Sequence, residues 1–136
     1  MHYFIFPEKD TTIFEASSSL NSGLDEVLEI RKNVSDTGAS VDVSRILMKF
    51  DTTFFQEASS SGLIPQTGSR AVKYFLNLYD ANPKALAASQ SLFAYAISGS
   101  WDMGTGRSYD NPQTSDGCSW KYRYSETDGT LWASGS

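Results

Sequence analysis

The sequence has little of the side-chain chemistry from which catalytic and metal centres are built. Cys118 is the only cysteine and His2 the only histidine among 136 residues. One cysteine cannot form an internal disulfide or a cysteine-based metal site. One histidine, two residues from the start, offers no Ser–His–Asp or Cys–His arrangement. Cys118 alternates with Trp120, which predicts a small buried thiol. These absences favour a non-enzymatic protein.

Basic clusters and long apolar runs are also scarce. Eleven Lys and Arg stand against sixteen Asp and Glu, for a formal net charge of −5. Nucleic-acid binding draws its affinity from basic side chains on phosphates, so we expect no nucleic-acid partner. The apolar opening at residues 3–6 is too short for a signal peptide or a membrane span. We therefore expect no membrane partner and a protein that is made in the cytoplasm without a signal peptide.

What the sequence does contain is typical of one globular β domain. Hydrophobic residues make up 40% of the chain and aromatic residues 13%, which favours strands over disorder. Short alternating or β-branched segments are separated by Gly, Pro, Asn and Ser turns. We predict strands at residues 3–6, 11–14, 27–32, 44–50, 71–79, 91–97 and 118–122, a short helical turn near 52–58, and a hairpin turn at Asp128-Gly129. This pattern predicts an antiparallel β-sandwich or jelly roll over residues 1–136.

The strand at residues 44–50 has a clear two-residue period. Ile46, Met48 and Phe50 alternate with Arg45 and Lys49. Successive side chains of a strand point to opposite faces. We therefore predict that the apolar three face the core and that the two cations face solvent.

The irregular stretch from Ser98 to Asp116 contains the candidate binding residues. Trp101 and Tyr109 are aromatic residues in a polar loop, as in carbohydrate sites where the apolar sugar face stacks on a ring. Asp102, Asp110 and Asp116 supply the oxygen atoms that calcium prefers, although their spacing is not that of an EF-hand. Solvated loop carboxylates are the alternative interpretation of the three.

Two other chemical readings have weaker support. Acidic pairs such as Asp25/Glu26 or Asp102/Asp110 would suit a small glycoside hydrolase or lyase only if they converged on one bond. Gly104-Thr105-Gly106 lacks the third glycine and the Lys-Ser/Thr ending of a phosphate loop. Neither pattern identifies an active site from spacing alone.

Four pieces of the chain, in order, carry a resemblance to a known family. They are 10–14 with Asn21-Ser22-Gly23-Leu24, the strand 44–51, the strand 71–79, and Trp101 followed by Ser119-Trp120. This order resembles the DNRLRE-type domain, a jelly roll related to carbohydrate-binding modules. Residues 6–11 and 77–80 look closer still to virion structural proteins of tailed phages, with marine T4-like phages nearest. The resemblance covers nearly the whole chain, and each of its motifs is short.

The resemblance implies roles for particular residues. Arg45, Lys49, Phe50 and Asp51 fall on the family's Arg-x-x-x-Lys-Phe-Asp strand, which implies structural roles for them. Trp101 matches the loop tryptophan, with a packing or ligand role, and we interpret Trp120, which matches the strand tryptophan, as core. Domains of this type usually continue past residues 130–132 with further strands. The resemblance therefore implies a truncated form that lacks strands in one sheet, and unpaired edges invite strand addition.

Two functions are compatible with these observations. The first is a non-enzymatic structural or decoration protein of a phage virion, made in the host cytoplasm, that assembles as an oligomer with other virion proteins. The second is a carbohydrate-binding module, with or without calcium, that adsorbs to a cell-surface glycan. Exposure of Trp101 and Tyr109 on one face would favour the second, and burial of both would exclude it.

Overall fold

The computed structural model describes residues 4–38, 41–64, 73–81 and 91–133. Its regular elements are β1 (Pro7–Phe14), β2 (Lys32–Val34), β3 (Val41–Phe50) and α1 (Thr53–Ser60). Two compact units are present. The first unit comprises Met1–Phe50 and Ala96–Ser136, and the second unit is Asp51–Tyr95. The single-domain expectation stays a prediction.

The first unit contains a three-stranded antiparallel sheet in the order β1-β3-β2. β3 is central because it is the longest strand and pairs on both sides, with Thr11 opposite Leu47 and Lys32 opposite Val43. A turn closed by the Gly38 N–H on the Ser35 carbonyl lies between β2 and β3. The predicted strand at 27–32 was wrong in extent, because regular pairing begins only at Lys32. The strand predicted at 11–14 is confirmed as the second half of β1, which begins at Pro7 after unpaired residues 4–6; Tyr3 lies outside the described residues.

The core of the first unit lies on one face of β1 and β3. Ile13, Leu47, Trp101 and Cys118 are buried together, with Met103, Trp120 and Trp132 packed against them. Burial of one such large apolar side chain contributes about 1.5–3 kcal/mol. The second half of β1 is buried on both faces, since Thr11, Thr12, Ile13 and Phe14 are all buried. β1 and β3 thus position the loops that cross over them.

Arg45 and Lys49 of β3 are exposed as predicted, but the predicted core-facing side of the strand was wrong. Leu47 shares its face with Arg45 and Lys49, and this face carries the core. The Arg45 guanidinium lies 4.7 Å from the centre of the Trp120 ring, so a cation is accommodated beside the apolar cluster. Ile46 and Met48, on the other face, are only half-buried. A two-residue period establishes which residues share a face, but not which face is covered.

The last part of the first unit is a hairpin, as predicted. Tyr122 and Leu131 form an antiparallel bridge, and the Arg123 N–H donates to the Thr130 carbonyl at 2.9 Å. Gly129 has φ of +75° at the turn, a conformation that glycine adopts without steric cost. The strand predicted at 118–122 is reduced to this single bridge, because its neighbours in space are loops.

The second unit contains α1, which confirms the helical turn predicted near 52–58. The Phe55 ring meets the Tyr74 ring edge to face, with centroids 5.6 Å apart. The strands predicted at 71–79 and 91–97 were wrong for their described residues, 73–79 and 91–97. These residues have no regular structure and are exposed to solvent. Alternation of side chains indicates a preference for a strand, but a strand forms only where a neighbour supplies backbone hydrogen bonds.

The regular structure is thus mainly strand with one short helix, consistent with the predicted all-β class. The finer prediction of a sandwich or jelly roll is not shown by a three-stranded sheet. In the part of the chain that the structure describes, no helix has the length and apolar character needed to cross a membrane.

Candidate binding site

A buried asparagine holds together the loops of the first unit. Asn21 is fully buried, and its Nδ2 donates hydrogen bonds to the carbonyls of Met103 (2.7 Å) and Cys118 (2.9 Å). Its Oδ1 accepts from the Gly106 N–H at 2.8 Å. One side chain therefore links three chain segments, and both amide donors are satisfied.

Glycines allow the loops to approach Asn21 so closely. A Cβ on Gly104, whose φ is +73°, would lie 2.5 Å from the Gly117 Cα and 2.6 Å from Asn21 Oδ1. A Cβ on Gly117 would lie 2.4 Å from the Gly104 Cα. Neither space can hold a methyl group, because the nearest atoms include backbone. We call Asn21, Gly104, Gly106 and Gly117 the asparagine junction.

Two aspartates shape the loop that leaves this junction. Asp116 accepts from both the N–H (2.8 Å) and the hydroxyl (2.6 Å) of Thr105. Burial alone would raise the pKa of Asp116, but the two hydrogen bonds from Thr105 outweigh it and the pKa is lowered. Asp110 accepts from the Arg107 N–H at 2.9 Å and the Thr114 hydroxyl at 3.1 Å. The loop is thereby fixed on both sides of Arg107.

This fixed loop forms one wall of an open cleft of about 300 Å³. The opposite wall is the segment from Asp25 to Glu29, which is tied to the loop by the Ser108 N–H donating to Asp25 Oδ1 at 3.0 Å. Arg107 Nε also donates to the Leu24 carbonyl at 3.3 Å. The residues that line the cleft come from three parts of the first unit: Phe14, Asp25, Glu26, Val27, Leu28, Glu29, Ser108 and Tyr109.

The cleft combines an exposed aromatic ring with carboxylates. Tyr109 is 66% exposed, and the Arg107 guanidinium lies 5.9 Å from the centre of its ring. Glu26 and Glu29 are exposed at the rim, whereas Asp25 is half-buried. A ring can stack on an apolar ligand face while the acidic groups accept hydrogen bonds from hydroxyls or amines. The cleft therefore suits a polyhydroxylated or cationic ligand.

The structure separates the two aromatic residues predicted to bind ligand. Tyr109 lines the cleft, while Trp101 is only 7% exposed and belongs to the core cluster. Of the two predicted rings, only that of Tyr109 is exposed and able to stack on a ligand. Trp120, predicted as core, is half-buried against the core cluster and lies under Arg45.

The three aspartates predicted for calcium are not brought together. Asp102 Oδ1 accepts a hydrogen bond from the backbone N–H of the adjacent residue, Met103, at 3.0 Å. The same oxygen lies 3.4 Å from Lys9 Nζ. Asp110 and Asp116 bond to different parts of the loop, as described above. Among the residues that the structure describes, no three His, Cys, Asp or Glu side chains are grouped so as to hold a metal ion.

The residues of the 45–51 motif make separate local contacts. Arg45 stacks on Trp120, and Lys49 forms an ion pair with Glu8 across the β1–β3 pair. Phe50 is half-buried and ends β3 opposite Pro7. In the second unit, Asp51 Oδ1 accepts from the Thr53 N–H at 2.9 Å where α1 begins.

Sequence reasoning named three residues of the cleft, Tyr109 and the Asp25/Glu26 pair, but overlooked the asparagine junction that holds its loop in place. Asn21 lies in a Ser- and Gly-rich stretch that indicates an ordinary surface loop, and the wall at Asp25–Glu29 was expected to be partly strand. The spacing of Gly104, Gly106 and Gly117 in one loop was the available signal, because several glycines near each other indicate close backbone approach.

Comparisons with protein-family models, with curated proteins and with solved structures give no match for this chain. Its function therefore has to be inferred from the residues and their geometry.

Proposed function

We propose that this chain is a non-enzymatic structural protein of a tailed-phage particle and that it assembles through protein–protein contacts. The observation that carries the proposal is the exposure of large apolar side chains in the second unit. Tyr74, Phe75 and Tyr79 are 69%, 78% and 93% exposed, and Phe93 and Tyr95 are 77% and 82% exposed.

Such exposure is unusual for a protein that works alone. Contiguous apolar surface on a soluble chain marks an interaction site, because each Å² left in water costs about 25 cal/mol. The backbone of residues 73–79 and 91–95 also forms no hydrogen bond to other described residues. A partner that supplies a strand would cover the side chains and bond the backbone together. The virion context comes from the resemblance in sequence.

The test is to look for the chain in purified particles. Mass spectrometry of density-purified virions should detect its peptides at a constant ratio to the major capsid protein. A host cytosolic protein serves as the control for contamination. Electron microscopy should then place its copies at a symmetric site of the capsid, neck or tail. If the chain is absent from particles while the capsid protein is recovered, the proposal is wrong.

A carbohydrate-binding function is the second candidate, and the Tyr109 cleft is the observation that favours it. Trp101 no longer contributes, because it is buried. On a glycan array, retention of the protein should be lost in Tyr109→Ala and kept in Tyr95→Ala, another exposed tyrosine outside the cleft. Equal retention of both variants would contradict binding at this site. Repeating the assay with EDTA tests the calcium requirement.

A further inference from the structure

The lining of the Tyr109 cleft carries negative charge and no positive charge. Three of its eight residues, Asp25, Glu26 and Glu29, are acidic, and none is Lys, Arg or His. A carboxylate accepts hydrogen bonds and attracts a cation, whereas it repels another anion. The lining therefore discriminates among polar ligands by their charge and favours a cationic one.

Two arginines contact this lining and neutralise only part of its charge. Arg31 is shared between two carboxylates, Glu29 at 3.2 Å and Asp42 at 2.9 Å. Arg107 lies 4.0 Å from Glu26, with 42% and 71% of their side chains exposed, so this pair is weak and screened by salt. With the third acidic residue of the lining, four carboxylates stand against two guanidinium groups, which leaves a net charge of −2.

Asp25 is the carboxylate best placed to receive a cation. It is half-buried, and its Oδ1 accepts from the Ser108 N–H at 3.0 Å, which fixes the side chain. No described residue donates to its Oδ2, so this oxygen remains available to a ligand. An ammonium group carries three donors and would bond to Oδ2 with the added strength of two opposite charges.

Tyr109 supplies the apolar part of the same site. Its ring is 66% exposed, and Arg107 lies on one side, 5.9 Å from the ring centre, which leaves the other side for a ligand. The apolar face of a sugar stacks on such a ring while its polar substituents reach the carboxylates. A lysine side chain brings one amine on a flexible stem and uses less of this arrangement. The combination of ring and carboxylates therefore favours an amino sugar.

We propose that the Tyr109 cleft binds a glycan with free, protonated amino groups, with the sugar face on Tyr109 and an amine on Asp25. This inference rests on the second candidate function, glycan binding at the cleft, and names the class of glycan. A neutral glycan lacks the charge-assisted hydrogen bond. An acidic glycan is in addition repelled by the carboxylates.

Oligosaccharides that differ only in the amine test the proposal. Calorimetric titration of the full chain, at a slightly acidic pH that keeps the amine protonated, compares a glucosamine tetramer with an N-acetylglucosamine tetramer. The glucosamine tetramer should bind at least about tenfold more tightly, because acetylation removes the charge from the hydrogen bond. A galacturonic acid tetramer should not bind. Added salt should reduce the preference for glucosamine.

Variants of the cleft assign the preference to one residue. Asp25→Asn keeps an oxygen for the Ser108 N–H but removes the charge, so the two tetramers should then bind about equally. Asp36→Asn makes the same change at an exposed residue outside the cleft and should leave the preference intact. Tyr109→Ala should weaken the binding of both tetramers. All three tryptophans lie in the unit that contains the cleft, so their fluorescence reports whether each variant folds.

The outcomes separate this inference from the functions proposed above. Equal binding of the two tetramers, or a preference that survives in folded Asp25→Asn, overturns the amine assignment and leaves glycan binding standing. A short lysine peptide that binds as tightly as the glucosamine tetramer also overturns it, because the amine alone would then be sufficient. Failure to bind any glycan refutes both the inference and the second candidate function, whereas the search for the chain in virions tests only the structural function.

Discussion

Replacing Asn21 by aspartate changes one heavy atom of the side chain and should cost much of the stability of the first unit. The variant keeps the shape of the side chain and the oxygen that accepts from Gly106. It replaces the amide nitrogen by an oxygen that faces the carbonyls of Met103 and Cys118, which lie 2.7 and 2.9 Å from that nitrogen. Two hydrogen bonds become two oxygen–oxygen repulsions inside a fully buried site.

The expected magnitude follows from the groups left without a partner. Each carbonyl that loses its donor costs about 1–3 kcal/mol, and a buried ionised carboxylate adds to this. We therefore expect Asn21→Asp to lower the free energy of unfolding by at least about 3 kcal/mol at pH 7. That is a large part of the total of about 5–15 kcal/mol typical of a domain.

Urea unfolding followed by tryptophan fluorescence measures this loss, because all three tryptophans lie in the first unit. Asn33→Asp is the matched control. Asn33 is exposed on β2, so its change should stay within about 0.5 kcal/mol. A loss below about 1 kcal/mol in Asn21→Asp would refute the hydrogen-bond account of the junction.

The variant should also depend on pH in a defined direction. Burial among carbonyl oxygens raises the folded-state pKa of an aspartate at position 21 above its unfolded value of about 3.9. The folded state then binds the proton more tightly, so the variant should regain stability as pH falls through the folded pKa. A loss in Asn21→Asp that stays constant between pH 7 and pH 4, relative to wild type, would contradict this assignment.

Three further predictions concern the same unit. Gly104→Ala should lower the free energy of unfolding in urea by about 2 kcal/mol or more, and Gly38→Ala by about 1 kcal/mol. Both glycines have positive φ, but only Gly104 is surrounded by atoms within 4 Å. Equal losses in the two variants would contradict the packing argument. Burial, with a smaller contribution from the Asp102 carboxylate, raises the pKa of the Cys118 thiol to about 12. A thiol reagent at pH 8 should therefore label Cys118 only after urea unfolds the chain. Rapid labelling of the folded protein would instead show that the thiol is accessible. The lowered pKa of Asp116 means that the hydrogen bonds it accepts from Thr105 stabilise the fold above the unfolded pKa, and that this stability is lost as pH falls through the folded pKa. Thr105→Val should reduce that acid-dependent loss of stability, by under about 1 kcal/mol because the carboxylate is exposed. An unchanged dependence of stability on pH in this variant would argue against a role for the Thr105 hydrogen bonds.

Local sequence was sufficient where neighbours in the chain make the structure. The turn at Gly129 and the helix after Asp51 were predicted because their hydrogen bonds join residues a few positions apart. The strands at Thr11–Phe14 and Ser44–Phe50 were predicted from β-branched residues and a two-residue period. The all-β class follows from the same signals, and Cys118 is buried as its alternation with Trp120 predicted.

Contacts between distant segments could not be predicted in this way. The face of β3 that carries the core was assigned wrongly, because Leu47 packs with Trp101 and Cys118, which lie far along the chain. Residues 73–79 and 91–97 have a strand pattern without a strand, because no neighbouring strand bonds their backbone in the described chain. A pattern records a preference, whereas pairing needs a partner.

The sequence by itself determined the class of structure, the acidic charge and the scarcity of catalytic side chains, since these depend on composition and short-range periodicity. Only the tertiary structure decided that Asn21 joins three loops, that Tyr109 is exposed in a cleft while Trp101 is buried, and that Asp102, Asp110 and Asp116 do not converge. Each of these depends on side chains that lie far apart along the chain, and their distances are set by packing rather than by spacing.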